Sequence, residues 1–385
     1  MAEFVFSTEQ RELRAAVRRF AAATSDERTV RHLMETTVGF DPESWRRLGA
    51  ELGVLGLAVP EELGGSGGGL VDLAVAVEEL GAALACGPVF GTLMLAIPAL
   101  VAAPDGPVRE SVLGPLLEGS RTAALAVGDR AGRFVPSEVT VGATRSEQGW
   151  DLTGTVERVV DAAGADDLLV AASGPDGVCL YVVEGRDTER TPLTTLDLTR
   201  RQATLRFAET PARLLAGPDE LERVVGQALG VGSVLLAAEQ VGAAQHLLDL
   251  TVGYATQRLQ FGRPIGSFQA VKHRLADMLV DLEHARSAAY HGAWALQDGT
   301  DDPALAASIA QATCSAAFAR IAGDAIQLHG GIGFTWEYQV QLYYKRAITD
   351  AALLGSAEEH RARIAALVLA VASPEGAPPV ASGVG

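Results

Sequence analysis

Cysteine, aromatic residues and positive charge are all scarce in this chain. Its three cysteines, Cys86, Cys179 and Cys314, stand far apart with no metal-ligand or redox spacing. That argues against a disulfide framework and fits buried thiols in a reducing cytoplasm. Lys and Arg total 31 against 48 Asp and Glu, a net charge of −17. Nucleic acid and anionic membrane surfaces attract clustered cations, so neither is an expected partner. The opening segment, Met1 to Val17, has no apolar core of the kind a signal peptide carries. Hydrolase and nucleotide-loop signatures are not expected to carry the chemistry either. Charge is missing altogether from Leu80 to Ala103, a run long enough to cross a bilayer. Gly81, Gly87, Gly91, Pro88 and Pro98 interrupt it, and no basic cluster flanks it. Two short buried helices joined at Cys86-Gly87-Pro88, and no membrane span, are expected instead.

What is present is an apolar chain, 48% hydrophobic, long enough for two or three packed units. Residues 1–120 read as helical. Ser7-Thr8-Glu9-Gln10 has the form of a capping box, and Leu13, Val17 and Phe20 then share a helical face. Asp41-Pro42 is a second start signal, with Gly53 as a stop. The glycine-rich connector Pro60–Gly69 precedes an apolar helix near Val71–Leu80. Residues 121–222 change texture, with β-branched runs such as Val178–Val183 and Thr204–Phe207 between turn signals. Helical periodicity returns over 223–370. Val271, Leu275, Met278, Leu282, Ala285 and Ala289 form one stripe, Val234, Ala238, Val241, Leu248 and Val252 another, and an alanine-rich helix spans about Pro303 to Leu328. Residues 371–385 read as a flexible tail. The expected fold class is α+β: an N-terminal helical domain, a central β-barrel-like domain and a C-terminal four-helix bundle.

Four motifs carry specific information. Val59-Pro60-Glu61-Glu62-Leu63-Gly64-Gly65 and Glu78-Glu79-Leu80-Gly81 stand near the start. Arg258-Leu259-Gln260-Phe261-Gly262-Arg263-Pro264-Ile265 leads into Phe268-Gln269 and Ala276-Asp277-Met278, and Gln327-Leu328-His329-Gly330-Gly331-Ile332-Gly333-Phe334 precedes Glu337 and Arg346. In this order and spacing they resemble the acyl-CoA dehydrogenase family, from the first helix to about residue 370. The resemblance implies FAD as cofactor, an acyl-CoA thioester as substrate, an acceptor like an electron-transfer flavoprotein, and an oligomer whose subunits reach each other's flavin. By that resemblance Arg258, Phe261, Phe268, Gln269, Gln327, Gly330, Gly331 and Ser356 are candidate cofactor-binding residues. Their chemistry suits it: a guanidinium fork matches a pyrophosphate, and paired glycines admit a close backbone approach. Taken singly, Arg258 reads as a helix-terminal cation, Gly330-Gly331 as a helix stop, and Ser356-Ala357-Glu358-Glu359 as another capping box.

The pattern breaks where the family's reaction begins. A carboxylate there takes the Cα proton of the thioester, and it must lie within contact reach of that carbon. Leu354 stands at its usual position, and Gly232 at the alternative position on the first bundle helix. Arg158 and Val160 replace residues that face the flavin ring, Gly230 and Ser233 replace contacts to CoA, and Leu125–Pro136 lacks the family's Thr-Glu-Pro motif. The catalytic residue is therefore unknown. Losses at the chain's own site with retention of residues that reach a neighbour imply a base-lacking subunit paired with a second acyl-CoA dehydrogenase chain. Certain actinobacterial α2β2 enzymes resemble this, some with steroid side-chain thioesters. Self-association with an unrecognised base such as Glu239, and a flavin-free scaffold, are the alternatives. Glu239, a lone acid among Ala and Leu, is expected either to be buried with a raised pKa or to pair with a cation across the bundle.

Overall fold

The computed structural model describes residues 6–130, 132–147, 149–299 and 301–372. Helices α1 (Thr8–Thr24), α2 (Glu27–Glu35), α3 (Pro42–Ala50), α4 (Leu70–Ala82), α5 (Ile97–Ala102) and α6 (Pro107–Leu117) form the first unit. Local chemistry sets their starts. Ser7 Oγ accepts from the Gln10 amide at 3.2 Å while the Gln10 side chain accepts from the Ser7 amide at 3.0 Å. The Asp41 carboxylate caps α3, and Gly53 turns the chain with φ 68°.

The uncharged run resolves differently from two plain helices. Val89–Ala96 is π-helical and continues straight into α5. Two side chains account for the widened turn. Thr92 Oγ1 donates to the Ala123 carbonyl at 2.8 Å and accepts from its amide at 2.9 Å, and Gly91 N donates to Asp161 at 2.7 Å. Among the described residues, the helices long and apolar enough to cross a membrane are α7 and α9 instead, and both are largely buried in the bundle described next.

The middle of the chain forms β1 (Ala123–Ala126), β2 (Asp129–Arg130), β3 (Arg133–Phe134), β4 (Val141–Ser146), β5 (Gly149–Val160), β6 (Asp167–Gly174), β7 (Gly177–Glu184), β8 (Glu189–Pro192) and β9 (Gln202–Ala216). Strands β6, β4, β5, β9 and β7 pair in a closed ring, with β1 parallel to β6 and β8 beside β9. This closure is the barrel-like architecture expected from the sequence, and it leaves few free edges. A separate core of Leu152, Leu168, Val170, Tyr181 and Phe207 fills it.

The bundle comprises α7 (Pro218–Gln257), α8 (Gln269–Asp298), α9 (Pro303–His329), α10 (Val340–Asp350) and α11 (Ala357–Ala372), with the small hairpin β10 (Leu259–Gln260) and β11 (Arg263–Pro264) after α7. Met278, Leu282, Ala285 and Ala289 are buried as their stripe predicts, whereas Val252, at the end of the other stripe, is exposed. Helix α11 reaches Ala372, slightly into the expected tail, whose remainder lies outside the described residues. Glycine sets the crossing of α4 and α7. A Cβ on Gly242 would lie 2.7 Å from the Glu78 carbonyl carbon, and one on Gly81 would lie 2.8 Å from that of Glu239. The crossing therefore brings α7 against α4 backbone to backbone.

The connector also holds a spacing that the sequence expectations passed over. Gly64-Gly65-Ser66-Gly67-Gly68 has the literal form of a nucleophile elbow. It follows a 3-10 turn, not a strand, and among the described residues no hydrogen bond joins Ser66 to a histidine.

Candidate functional site

A cleft of about 910 Å³ opens where β5 of the barrel meets the π-helical segment, α7 and the turn between α10 and α11. Its floor is apolar, built from Phe90, Leu95, Leu229, Leu353 and Leu354. Leu354 is strained: its φ is 54°, and Gly355 follows at 99°. A left-handed Leu costs on the order of 1–3 kcal/mol and persists only where surroundings over-determine it. Two buried side chains do so. His360 Nε2 donates to the Leu354 carbonyl at 2.8 Å, and Gln311 Nε2 donates to the Leu353 carbonyl at 3.2 Å. Burial pulls the His360 pKa below its ordinary value, and the carbonyl acceptor calls for a proton on Nε2. A Cβ on Gly232 would sit 2.5 Å from Leu95 Cδ2 and 3.4 Å from Leu354 Cδ1. Both positions the resemblance assigns to a base therefore face one floor, and neither residue can take a proton. On the wall, Arg158 is also left-handed, at φ 58°, and Val160 lies beside it.

Ser356 follows Gly355 of this cleft in the chain, apart from the other candidate cofactor-binding residues. Its hydroxyl donates to Glu359 at 2.9 Å, and its amide donates to the same carboxylate at 2.8 Å. With the return bond from the Glu359 amide to Ser356 Oγ at 3.3 Å, this is a complete capping box for α11.

The other seven candidates sit where α7 and α9 end. Tyr254, one turn before Arg258, stacks on His329 with ring centroids 4.4 Å apart, which joins the two helix ends. The Ile265 amide closes the hairpin loop on the Arg258 carbonyl at 2.8 Å. Within the loop, Arg263 lies 4.1 Å over the Phe268 ring, and Phe261 meets that ring edge-on. Phe261 itself is 91% exposed. Arg258, Gln269, Gln327, Gly330 and Gly331 are exposed too, with Phe334 and Trp336 alongside. Gly330 turns with φ 63°, and a Cβ on either Gly330 or Gly331 would meet nothing within 4 Å. Packing within the chain thus leaves the space over both glycines open. An exposed arginine, bare backbone and projecting aromatics are groups able to hold a phosphate-bearing ligand.

Between the barrel and the bundle lies a buried ionic cluster. Arg200 Nη2 donates to both Glu239 oxygens at 2.6 and 2.7 Å, and its Nη1 to Asp350 Oδ1 at 2.7 Å. Arg346 reaches Asp197 and Thr199 at 2.5 Å and also pairs with Glu239. All these residues are at most 6% exposed. Glu239 therefore takes the paired course: burial opposes its charge, yet the two arginines hold its pKa below the ordinary carboxylate value. Arg200, Asp197 and Asp350 were not foreseen. The available signals were Asp350 four residues after Arg346 on one helix, and the Asp197–Arg201 loop of mixed charge.

Comparison with known proteins decides what this architecture is. Residues 7–120 match the family model for the N-terminal domain of acyl-CoA dehydrogenases, and residues 222–369 match that for their C-terminal domain. The chain is 36% identical to the acyl-CoA dehydrogenase IpdE2 of Mycolicibacterium smegmatis over 94% of its own length and 99% of the relative's. The chain belongs to the acyl-CoA dehydrogenase family. Its relatives are oxidoreductases that act on CH–CH groups. IpdE2 of Mycobacterium tuberculosis is likewise 36% identical, over 91% of this chain and 94% of that protein. Among solved structures, a variant of the Tcur3481–Tcur3483 steroid ACAD superposes with a TM-score of 0.83 at 31% identity, covering 94% of this chain and 98% of that one. A chain of the ChsE4–ChsE5 complex from M. tuberculosis superposes at 0.84 with 28% identity, covering 98% and 100%.

Proposed function

We propose that this acyl-CoA dehydrogenase chain is the base-lacking subunit of a hetero-oligomer that desaturates an acyl thioester between Cα and Cβ. The observation that carries this reading is the cleft floor, where Leu354 and Gly232, the two positions the resemblance assigns to the base, oppose each other and carry no carboxylate. The acids that line the cleft, Glu138, Glu157 and Glu359, stand at other positions, and Glu359 is bonded to Ser356. FAD, the family's cofactor, supplies a hydride acceptor when bound. In this chain Arg258, Phe261, Phe268, Gln269, Gln327, Gly330 and Gly331 would hold it, at the C-terminal ends of α7 and α9, far along both helices from the cleft. Ser356 is the weakest of the candidates, since its hydroxyl is committed to Glu359. A second acyl-CoA dehydrogenase chain is the partner, as in the ChsE4–ChsE5 complex, and an electron-transfer flavoprotein is the acceptor class. The steroid acyl-CoA dehydrogenase among the structural relatives supports a thioester of a bulky, fused-ring acyl group. Self-association with Glu239 as base is disfavoured by the two arginines that occupy that carboxylate.

The test is to express the chain alone and then with an encoded acyl-CoA dehydrogenase neighbour, measuring flavin absorbance and native mass each time. Flavin present only in the co-expressed sample, at one FAD per pair of unlike chains, is the expected result. A yellow homo-oligomer of the lone chain that bleaches on adding acyl-CoA would overturn the proposal.

A further inference from the structure

We propose that the buried cluster of Asp197, Arg200, Glu239, Arg346 and Asp350 is a proton-linked clamp that sets the shape of the cleft. The proposal holds whichever chain carries the catalytic base, because it rests on this chain's geometry alone. Three carboxylates face two guanidinium groups, so the fully ionised cluster is one negative charge in excess. Each of the five is at most 4% exposed. An uncompensated charge is costly at such depth, and one added proton removes it. Asp350 is the member placed to take that proton. Its Oδ1 accepts from Arg200, whereas its buried Oδ2 has no protein partner.

The clamp touches the cleft at three points. The Arg200 guanidinium lies 5.1 Å over the ring of Phe90, a floor residue. Arg200 directly precedes Arg201 and Gln202, the second of which begins β9 and lines the wall. Asp350 closes α10, and its carbonyl accepts from the Leu353 amide at 3.1 Å, at the start of the strained turn that presents Leu354. Losing the proton leaves Asp350 repelled by Glu239 and Asp197 while still drawn to Arg200. The strain falls on the β8–β9 connection and on the Ala351–Gly355 turn together.

Other groups pack against the cluster and bear on its proton. Asp161, at the end of β5, is raised to about 6 by burial, against the hydrogen bond from Gly91. Cys86, ahead of the π-helical segment, is pushed up to about 12 by burial and stays a thiol. From α10, burial pulls Lys345 down and pushes Tyr343 up, and from the β8–β9 connection Arg201 bonds the carbonyls of Met34 and Thr36. Burial likewise raises Asp350, to about 7. A carboxyl raised in the folded state favours folding below its unfolded value near 4 and loses that contribution as pH climbs to about 7.

Hydrogen exchange of the full chain in its purified assembly tests the clamp, after correction for the intrinsic pH dependence of exchange. Protection of amides 199–203 and 351–355 should fall about tenfold between pH 6 and pH 8, the equivalent of one pKa unit. In Asp350→Asn, which keeps an acceptor for Arg200 without the titration, it should stay level. Wild-type protection that is flat with pH, or a variant with the same slope, would overturn the proposal. A second measurement needs no variant: infrared spectra of the wild type should show a protonated carboxyl band at pH 6 that fades by pH 8. Absence of that band at pH 6 would equally overturn it.

Discussion

Replacing Glu239 by Gln separates a structural carboxylate from a catalytic one. The side chain keeps its shape but loses its charge at a point where two guanidinium groups converge. Arg200 Nη2 now spans both oxygens, at 2.6 and 2.7 Å, and Arg346 Nη1 shares the first. Breaking one member out of a buried ion pair costs about 3–5 kcal/mol, mainly for the charge left behind. Here the remainder, two arginines with Asp197 and Asp350, is balanced, so the largest part of that penalty is absent. What remains is one amide N–H₂ turned against guanidinium donors, a buried unsatisfied group worth about 1–3 kcal/mol. A net loss of about 2–3 kcal/mol is expected, read as a lower urea midpoint for the purified assembly at pH 7. Flavin content and turnover per folded complex should change little. Removing the excess charge should also leave Asp350 ionised at neutral pH, so the fall in stability between about pH 4 and pH 7 disappears. An unchanged urea midpoint with turnover abolished would refute this reasoning and return Glu239 to candidacy as the base.

Three further outcomes follow from the same geometry. Gly242→Ala should destabilise by about 3 kcal/mol or more, visible as a lower melting temperature, because the added methyl meets the Glu78 backbone and not a side chain that can swing away. Full stability of that variant would mean α4 and α7 cross less closely than described. Leu354→Glu puts a carboxyl where Leu354 is only 7% exposed, so its pKa should rise. The variant should approach wild-type stability near pH 4 and lose ground as pH climbs through the raised value, measured by urea midpoints across that range. Arg258→Ala combined with Phe261→Ala should lower the FAD content of the co-expressed assembly without lowering the melting temperature of this chain, since both side chains are exposed; undiminished flavin would remove them from the shared site.

Helices were legible where short-range chemistry decides them. Ser7 with Gln10, and Asp41 with Pro42, fix helix starts through bonds that span only two or three residues. The Met278–Ala289 stripe follows from period alone. The π-helical turn was not legible, because its cause is Thr92 bonded to Ala123 and Gly91 bonded to Asp161, partners 31 and 70 residues away. The ionic cluster fails the same way: Arg200 and Asp350 are separated by 150 positions, and no local pattern marks them as neighbours. At the cleft, motif spacing located Leu354 and Gly232, yet it could not show that the two face each other across one floor.

That opposition bears on the proposed subunit role. Where Leu354 now stands, the backbone keeps a left-handed turn, and His360 and Gln311, both buried, hold its carbonyls. A leucine has no need of that conformation; an unstrained turn would bury it as well. On the proposed reading, the geometry is that of a turn that aims a side chain at the cleft, with an inert residue at its tip. Gly331, at the other end of the bundle, shows the converse: neither packing nor backbone conformation inside the chain requires glycine there, whereas Gly330 needs it for its φ of 63°. Together the two features accord with the proposed subunit, inert at its own cleft floor and open at the face that would meet a neighbour.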